Sequence, residues 1–339
     1  MRNMTRQRFH YADIMKGIGI ILVLMGHIQR IESLGNWIYA FHMPLFFFIS
    51  GMFFHNRSNF IKRKAKSLLI PYLSFAIIFF LYWWLLESRF RPTKELIDNQ
   101  TQFINIFFPM NVASQTPYCF NIVLWFLPCL FVVETIYWCM NKVAKNREFI
   151  TGGGILILVI LYLAIGKPWL PYWIPQAIIA LPFYYAGNIV FTHFLSDKRS
   201  PSLNGRILYV VIALMIVAIS AIIIHEGSDM RLMKFKPNYI YFFILALTLS
   251  TATLILSKGI NKCKVIEWLG INSLTIMLIH EPIKRILIFV YAHIFGINTD
   301  IVRESILHVT TLTILLILVC VPFVMFINKY CYYLLGKTR

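Results

Sequence analysis

Apolar residues in this chain fall in long blocks separated by short polar and basic segments. A half-buried strand would alternate with period 2, and a surface helix would show one apolar stripe of period 3.6. Blocks near twenty residues do neither, and each is long enough to cross a hydrocarbon core of roughly 30 Å as a helix. Ten blocks predict ten spans, at about 14–31, 37–54, 70–87, 121–140, 150–166, 173–192, 206–225, 239–257, 269–294 and 306–327. Pro282, Lys284 and Arg285 interrupt the ninth. It either kinks at Pro282 or ends there and continues along the interface. No small-residue cleavage site follows the first block, so it reads as a retained span rather than a signal peptide.

Composition agrees with this picture. Of 339 residues, 59% are hydrophobic and only 14% charged, whereas a soluble domain is nearer half apolar and a quarter charged. The fold class expected is all-α, a polytopic membrane protein forming a single domain over 1–339 with no separate soluble domain. No internal repeat is evident, which argues mildly against transporter architectures built from duplicated halves.

The net charge of +18 comes from 32 Lys+Arg against 14 Asp+Glu. Nucleic-acid binding is rejected, because the cations form no single patch. They lie between the apolar blocks, where they set orientation. With the N-terminus in the cytoplasm, cytoplasmic segments hold 20 basic residues and the opposite segments 9. Ten helices with both termini cytoplasmic is the coherent solution. Segment 57–68 is strongly basic; it reads as an anchor on anionic headgroups, or as an attractor for a polyanionic cofactor. Residues 88–120 form the longest outer connection, either a partly ordered lid or a linker. The six cysteines contain no CxxC pair and read as packing residues rather than disulfides or a metal site.

Ionisable groups inside a span are costly, so each is a functional candidate by default. The first span holds Asp13, Lys16 and His27. Lys16 and His27 are eleven residues apart, about three turns plus 20°, so they share one face at a separation of about 16 Å. Asp13 lies on the same stripe and can pair with Lys16 at i,i+3. Taken singly, Lys16 also reads as a snorkelling side chain and His27 as an imidazole bonded to a neighbouring carbonyl. The second span brings His42 to a similar depth across a short hairpin, with Pro44 two residues on. Ser50-Gly51 reads as a close helix contact. Glu134 is either a boundary residue or a buried partner. Ser273, His280 and Lys284 share a face in the ninth span, and His308 reads as interfacial. No Walker motif, GxGxxG, HExxH or GxSxG is present. Carboxylates within spans are few, which disfavours a proton pump or a glycosyltransferase. Histidines in a membrane pocket, with a phosphate-compatible lysine, suit general-base transfer of an acyl group from a polyanionic carrier to a hydroxyl.

Five segments together resemble the acyltransferase type 3 family of integral-membrane O-acyltransferases. YADIMKGIGIILVLMGH is similar to its first-span signature, a basic residue followed by ten residues and a histidine, which Lys16 and His27 fit. FHMPLFFFISGMFF (41–54), LWFLPCLF (124–131), LPFYYAG (181–187) and LGINSLTIMLIHEPI (269–283) resemble later blocks, in order. The resemblance implies a ten-helix core without a fused esterase-like domain. It also implies an acyl-CoA donor, usually acetyl-CoA, and as acceptor a hydroxyl of a cell-surface carbohydrate or its lipid-linked precursor. Lys16 stands where arginine is usual, a point charge rather than a bidentate fork.

On that reading Lys16, with Arg8, holds the CoA phosphates, and Asp13 orients Lys16. The pantetheine arm follows helix one to His27, which is either general base or acyl carrier. His42 or His280 orients His27 or polarises the thioester. Trp125 and Phe126 stack on a sugar ring, or only pack. No metal is expected. The expected location is the bacterial cytoplasmic membrane. Two other classes fit the same helices: an exporter of a saccharide or lipid-linked saccharide, which would not depend on acyl-CoA, and a structural subunit of a polysaccharide synthase, which would require none of the histidines.

Overall fold

A computed structural model describes residues 9–89, 99–107, 121–168, 170–195 and 202–338. Among the described residues the chain is helical, with one isolated β-bridge between Asp229 and Lys234. The helices are α1 (His10–Ile28), α2 (Glu32–Tyr39), α3 (His42–Met52), α4 (Phe60–Arg89), α5 (Asn99–Phe107), α6 (Ile122–Val143) and α7 (Glu148–Ala164). They continue with α8 (Ile174–Phe194), α9 (Leu203–Ile223), α10 (Tyr239–Ile260), α11 (Lys264–Ile271), α12 (Ser273–Phe295), α13 (Thr299–Glu304) and α14 (Ile306–Tyr330).

Seven of these, α1, α4, α6, α8, α9, α10 and α14, are long and apolar enough to cross a membrane. The other three expected spans exist as helices but differ from a plain apolar rod. The block 150–166 is the 17-residue helix α7. The block 269–294 runs through α11 and α12, and α12 carries Glu281, Lys284 and Arg285. The block 37–54 is broken into α2 and α3 at Ala40–Phe41. Pro44 explains the break. Its ring nitrogen cannot donate to the Ala40 carbonyl and its ring would clash with it. Restarting the helix at His42 puts Pro44 in a first turn, where no intrahelical donor is required.

Pro282 has the opposite outcome. α12 passes through it without ending. A proline there leaves the Leu278 carbonyl without its i+4 donor. The buried Asn121 side chain supplies one, Nδ2 donating to Leu278 O at 2.8 Å. A backbone group that lipid could not satisfy is thus satisfied by a neighbouring segment.

Two reciprocal glycine contacts bring the inner helices together. A Cβ on Gly51 would lie 1.9 Å from Tyr184 O, and one on Gly187 would lie 1.9 Å from Phe48 O, so α3 and α8 touch backbone to backbone. Gly17 and Gly270 do the same for α1 and α11, at 2.1 Å from Ile266 O and 1.8 Å from Asp13 O. Between apolar helices in lipid, such close approach is a main source of association. α1, α6 and α8 are more than half buried, whereas only 11% of α9 is. α9 is apolar on nearly every side and is the lipid-facing member of the set.

Candidate functional site

α12 supplies the hub of the polar interior. Glu281 is buried in a helix that is otherwise mostly apolar. Lys284 Nζ donates to its Oε1 at 2.7 Å, and Arg285 Nε lies 3.4 Å from the same oxygen. These are the i,i+3 and i,i+4 partners that a helix places beside an acid. Arg285 also reaches Glu87 at the end of α4, at 2.5 Å. The second oxygen, Oε2, faces α1. His27 Nδ1 lies 3.2 Å from it, joining two helices 254 residues apart in sequence.

Three imidazoles meet here, and their acceptors fix their tautomers. Nδ1 of His27 faces a carboxylate, Nδ1 of His42 faces Ile38 O at 2.9 Å, and Nδ1 of His280 faces Met277 O at 2.9 Å. Each partner accepts only, so each Nδ1 must donate. In the neutral form of each ring Nε2 is then the nitrogen left to accept. His27 and His280 pack edge to face with centroids 5.2 Å apart. His280 is fully buried, and among the described residues its Nε2 finds no hydrogen-bond partner. Of the three, His27 alone hydrogen-bonds a carboxylate, while His280 Nε2 lies 3.9 Å from the same oxygen. That carboxylate can offset the positive charge the imidazole gains on taking a proton.

A cavity of about 290 Å3 opens beside this cluster. His27, His42 and Glu281 line it, as do Trp125 and Phe126 at the start of α6. His27 and His42 thus face one pocket. Trp125 and Phe126 also pack on other rings, Trp125 on Trp173 at 5.6 Å and Phe126 on Phe47 at 5.1 Å. They are walls of the cavity held by the core. His280 stands behind the wall, reaching the cavity only through His27 and Glu281.

Lys16 is elsewhere. It sits near the other end of α1, 3.7 Å from Asp13, the i,i+3 pair expected, and over the Phe53 ring. It does not line the cavity. The stripe between Lys16 and His27 passes over Ile20 and Val23, both buried. The cavity reaches down this stripe as far as Val23, and the buried Ile20 closes the expected polar path between it and Lys16. Arg8 lies outside the described residues, as do most of the residues of the 88–120 connection.

His27, His280 and Glu281 place three ligand atoms within 4.8 Å of one another, a spacing that can hold a metal ion. The charges beside it oppose one. Lys284 and Arg285 already take the Glu281 carboxylate, and a dication would be set against both.

A second buried acid resolves the alternatives left by the sequence. Glu134 is wholly buried, not at a boundary. Lys64 Nζ donates to its Oε1 at 2.6 Å and Ser50 Oγ at 2.8 Å, so Ser50 does more than permit a close contact. Of the cysteines, the five described are free. Among the described residues, then, two buried acids within the helices, Glu134 and Glu281, each pair with a lysine, while the second oxygen of Glu134 has no hydrogen-bond partner. Glu281, the carboxylate that His27 bonds, is not among the candidates drawn from the sequence. Its signal was the run HEPIKR, an acid followed at +3 and +4 by bases inside an apolar block.

No curated protein and no solved structure matches the chain significantly. A family model described as an acyltransferase domain matches residues 9–325, nearly the whole chain and both walls of the cavity. The chain belongs to the acyltransferase type 3 family.

Proposed function

We propose that this membrane acyltransferase moves an acyl group, in the first instance acetyl, from acyl-CoA to a hydroxyl of a cell-surface or lipid-linked saccharide, with His27 as the general base. The observation that carries the reading is the hydrogen bond from His27 Nδ1 to Glu281 in the wall of the cavity. It leaves Nε2 free to accept a proton while the carboxylate holds the ring and balances the charge.

In the step proposed, His27 Nε2 takes the proton of the acceptor hydroxyl as its oxygen attacks the thioester carbonyl. The carbon–sulfur bond breaks, and the imidazolium returns the proton to the departing CoA sulfur. His42, whose Nδ1 donates to Ile38 O, orients a second hydroxyl of the acceptor with its other ring nitrogen. Trp125 and Phe126 offer the aromatic faces against which a sugar ring rests. Lys16 with Asp13 is the candidate for the donor phosphates at the other end of α1, with that end toward the cytoplasm. Since Ile20 fills the stripe between Lys16 and the cavity, the donor arm reaches His27 only if side chains there shift. The bacterial cytoplasmic membrane is the setting proposed.

The test is transfer of labelled acetyl from acetyl-CoA in membranes containing the full chain. His27→Ala should insert and fold but give no labelled saccharide. Near wild-type transfer in that variant would remove the mechanism.

A further inference from the structure

The mouth of the cavity carries more positive charge than its acids account for. Glu281 is committed to Lys284, Arg285 and His27. Two further guanidinium groups, Arg231 and Arg303, line the same cavity, against one further carboxylate, Asp229. Arg303, on the short helix α13, donates from Nε to Ile28 O at 2.7 Å, and its own carbonyl accepts from Arg30 N at 2.8 Å. These bonds stitch α13 to the end of α1 one residue beyond His27. The nearby carboxylate, Asp300, is paired with Arg30. Among the described residues no carboxylate pairs with Arg303.

Arg231 is held with equal care. Asp229 and Lys234 exchange backbone hydrogen bonds at 2.9 and 3.0 Å, closing a tight hairpin. The buried Met230 anchors it, and the fully buried Gln176 donates from Nε2 to Arg231 O at 2.8 Å. Asp229 Oδ1 accepts from Leu232 N at 3.0 Å, and the other carboxylate oxygen lies 4.0 Å from the Arg231 guanidinium. That contact is at the limit of an ion pair. Arg303 is thus held by a backbone carbonyl and Arg231 only loosely by Asp229, and both arginines line the cavity that His27 lines. Guanidinium forks placed this way match the paired oxygens of a phosphate or carboxylate.

We propose that Arg231 and Arg303 form a subsite for an anionic group on the acceptor, so that the saccharide acylated carries a phosphate or a carboxylate close to the reacting hydroxyl. The inference rests on the acyltransferase reading for the word acceptor, and on the geometry alone for the anion. The donor's phosphates are assigned to the Lys16 end of α1, which leaves this end to the acceptor.

Thermal unfolding of the detergent-solubilised full chain tests it, with glucose 1-phosphate, glucuronate, glucose and CoA as separate probes. Wild type should be stabilised by glucose 1-phosphate, by glucuronate or by both, and not by glucose. A response to the phosphate alone identifies a phosphate-bearing acceptor, and one to glucuronate alone an acidic sugar. Arg231→Gln and Arg303→Gln should each weaken the apparent affinity for that anion roughly tenfold or more. Arg231 is held through its backbone, so Arg231→Gln tests the subsite even if Arg303→Gln loses fold. Arg303→Lys should retain part of the response. The CoA response should be untouched by both glutamine variants.

No stabilisation of wild type by either anion, or stabilisation unchanged in both glutamine variants, would overturn the subsite. A CoA response that falls with these variants would put the donor here and overturn the assignment to the acceptor. Absence of any CoA response in wild type, with the anion response intact, would instead count against the acyl-CoA reading and leave the anion site standing.

Discussion

Glu281 accepts from His27 on one oxygen while Lys284 and Arg285 crowd the other. The carboxylate thus serves two ends: it orients the imidazole, and it pairs with the buried Lys284 and, together with Glu87, with Arg285. The two roles separate by mutation. Glu281→Gln should lower acyl transfer by about a hundredfold or more, as loss of the group supporting a general base does. It should also lower the melting temperature, because the buried Lys284 loses its counter-charge. Adding Lys284→Met should restore stability without restoring transfer. Recovery of both together would mean that Glu281 acts on the fold alone.

Lys16 is tested by its distance from the cavity. Lys16→Ala should raise the apparent KM for acyl-CoA with a smaller change in kcat, since it touches no reacting group. The measurement is a titration of acetyl-CoA in the transfer assay. An unchanged dependence on acetyl-CoA would remove Lys16 from the donor site.

The sequence disclosed the ends of this arrangement better than its middle. An eleven-residue spacing on one rod was enough to place Lys16 and His27 on one face. The short hairpin was enough to bring His42 to the depth of His27. What lies between Lys16 and His27 depends on which helices pack over Ile20 and Val23, and that is a tertiary fact. The ten apolar blocks all became helices, but block length says nothing about a proline's missing donor. Pro44 broke one block and Pro282 did not break another, because Asn121, some 160 residues away in the chain, serves Leu278. Glu281 was legible in HEPIKR as an acid with two helical base partners. Arg231 and Arg303 were not, because their roles arise from a hairpin and a short helix folding back on the end of α1.

The Asn121–Leu278 bond predicts a coupled pair. Asn121→Ala should destabilise the protein by about 1–3 kcal/mol, the cost of leaving a buried carbonyl unpaired. Pro282→Ala returns a backbone N–H to position 282, which can donate to Leu278 O. In that background Asn121→Ala should cost markedly less. A double-mutant cycle by thermal or denaturant unfolding reads the difference, and simple additivity would refute the account.

Lys64 and Glu134 predict a second cycle, near the opposite end of the molecule from the cavity's hairpin. Lys64→Met strands a wholly buried carboxylate and should cost about 3 kcal/mol. Glu134→Gln in the same chain should recover most of that loss, since an amide needs no counter-charge and Ser50 Oγ remains in reach.

The glycine contacts separate packing from backbone propensity. Gly51→Ala and Gly187→Ala each drive a methyl to within 1.9 Å of a carbonyl oxygen on the facing helix, too close for any side-chain rearrangement to relieve. Both helices must part, so neither variant should yield a folded, detergent-stable protein. Gly153 lies in α7 with no heavy atom within 4 Å of where its Cβ would be. Gly153→Ala should therefore be neutral or slightly stabilising, because alanine is the better helix former. Size-exclusion profiles and melting temperatures of the three variants decide the matter. A stable Gly51→Ala would mean that α3 and α8 do not meet backbone to backbone, and the wall that carries His42 would then have to be placed differently.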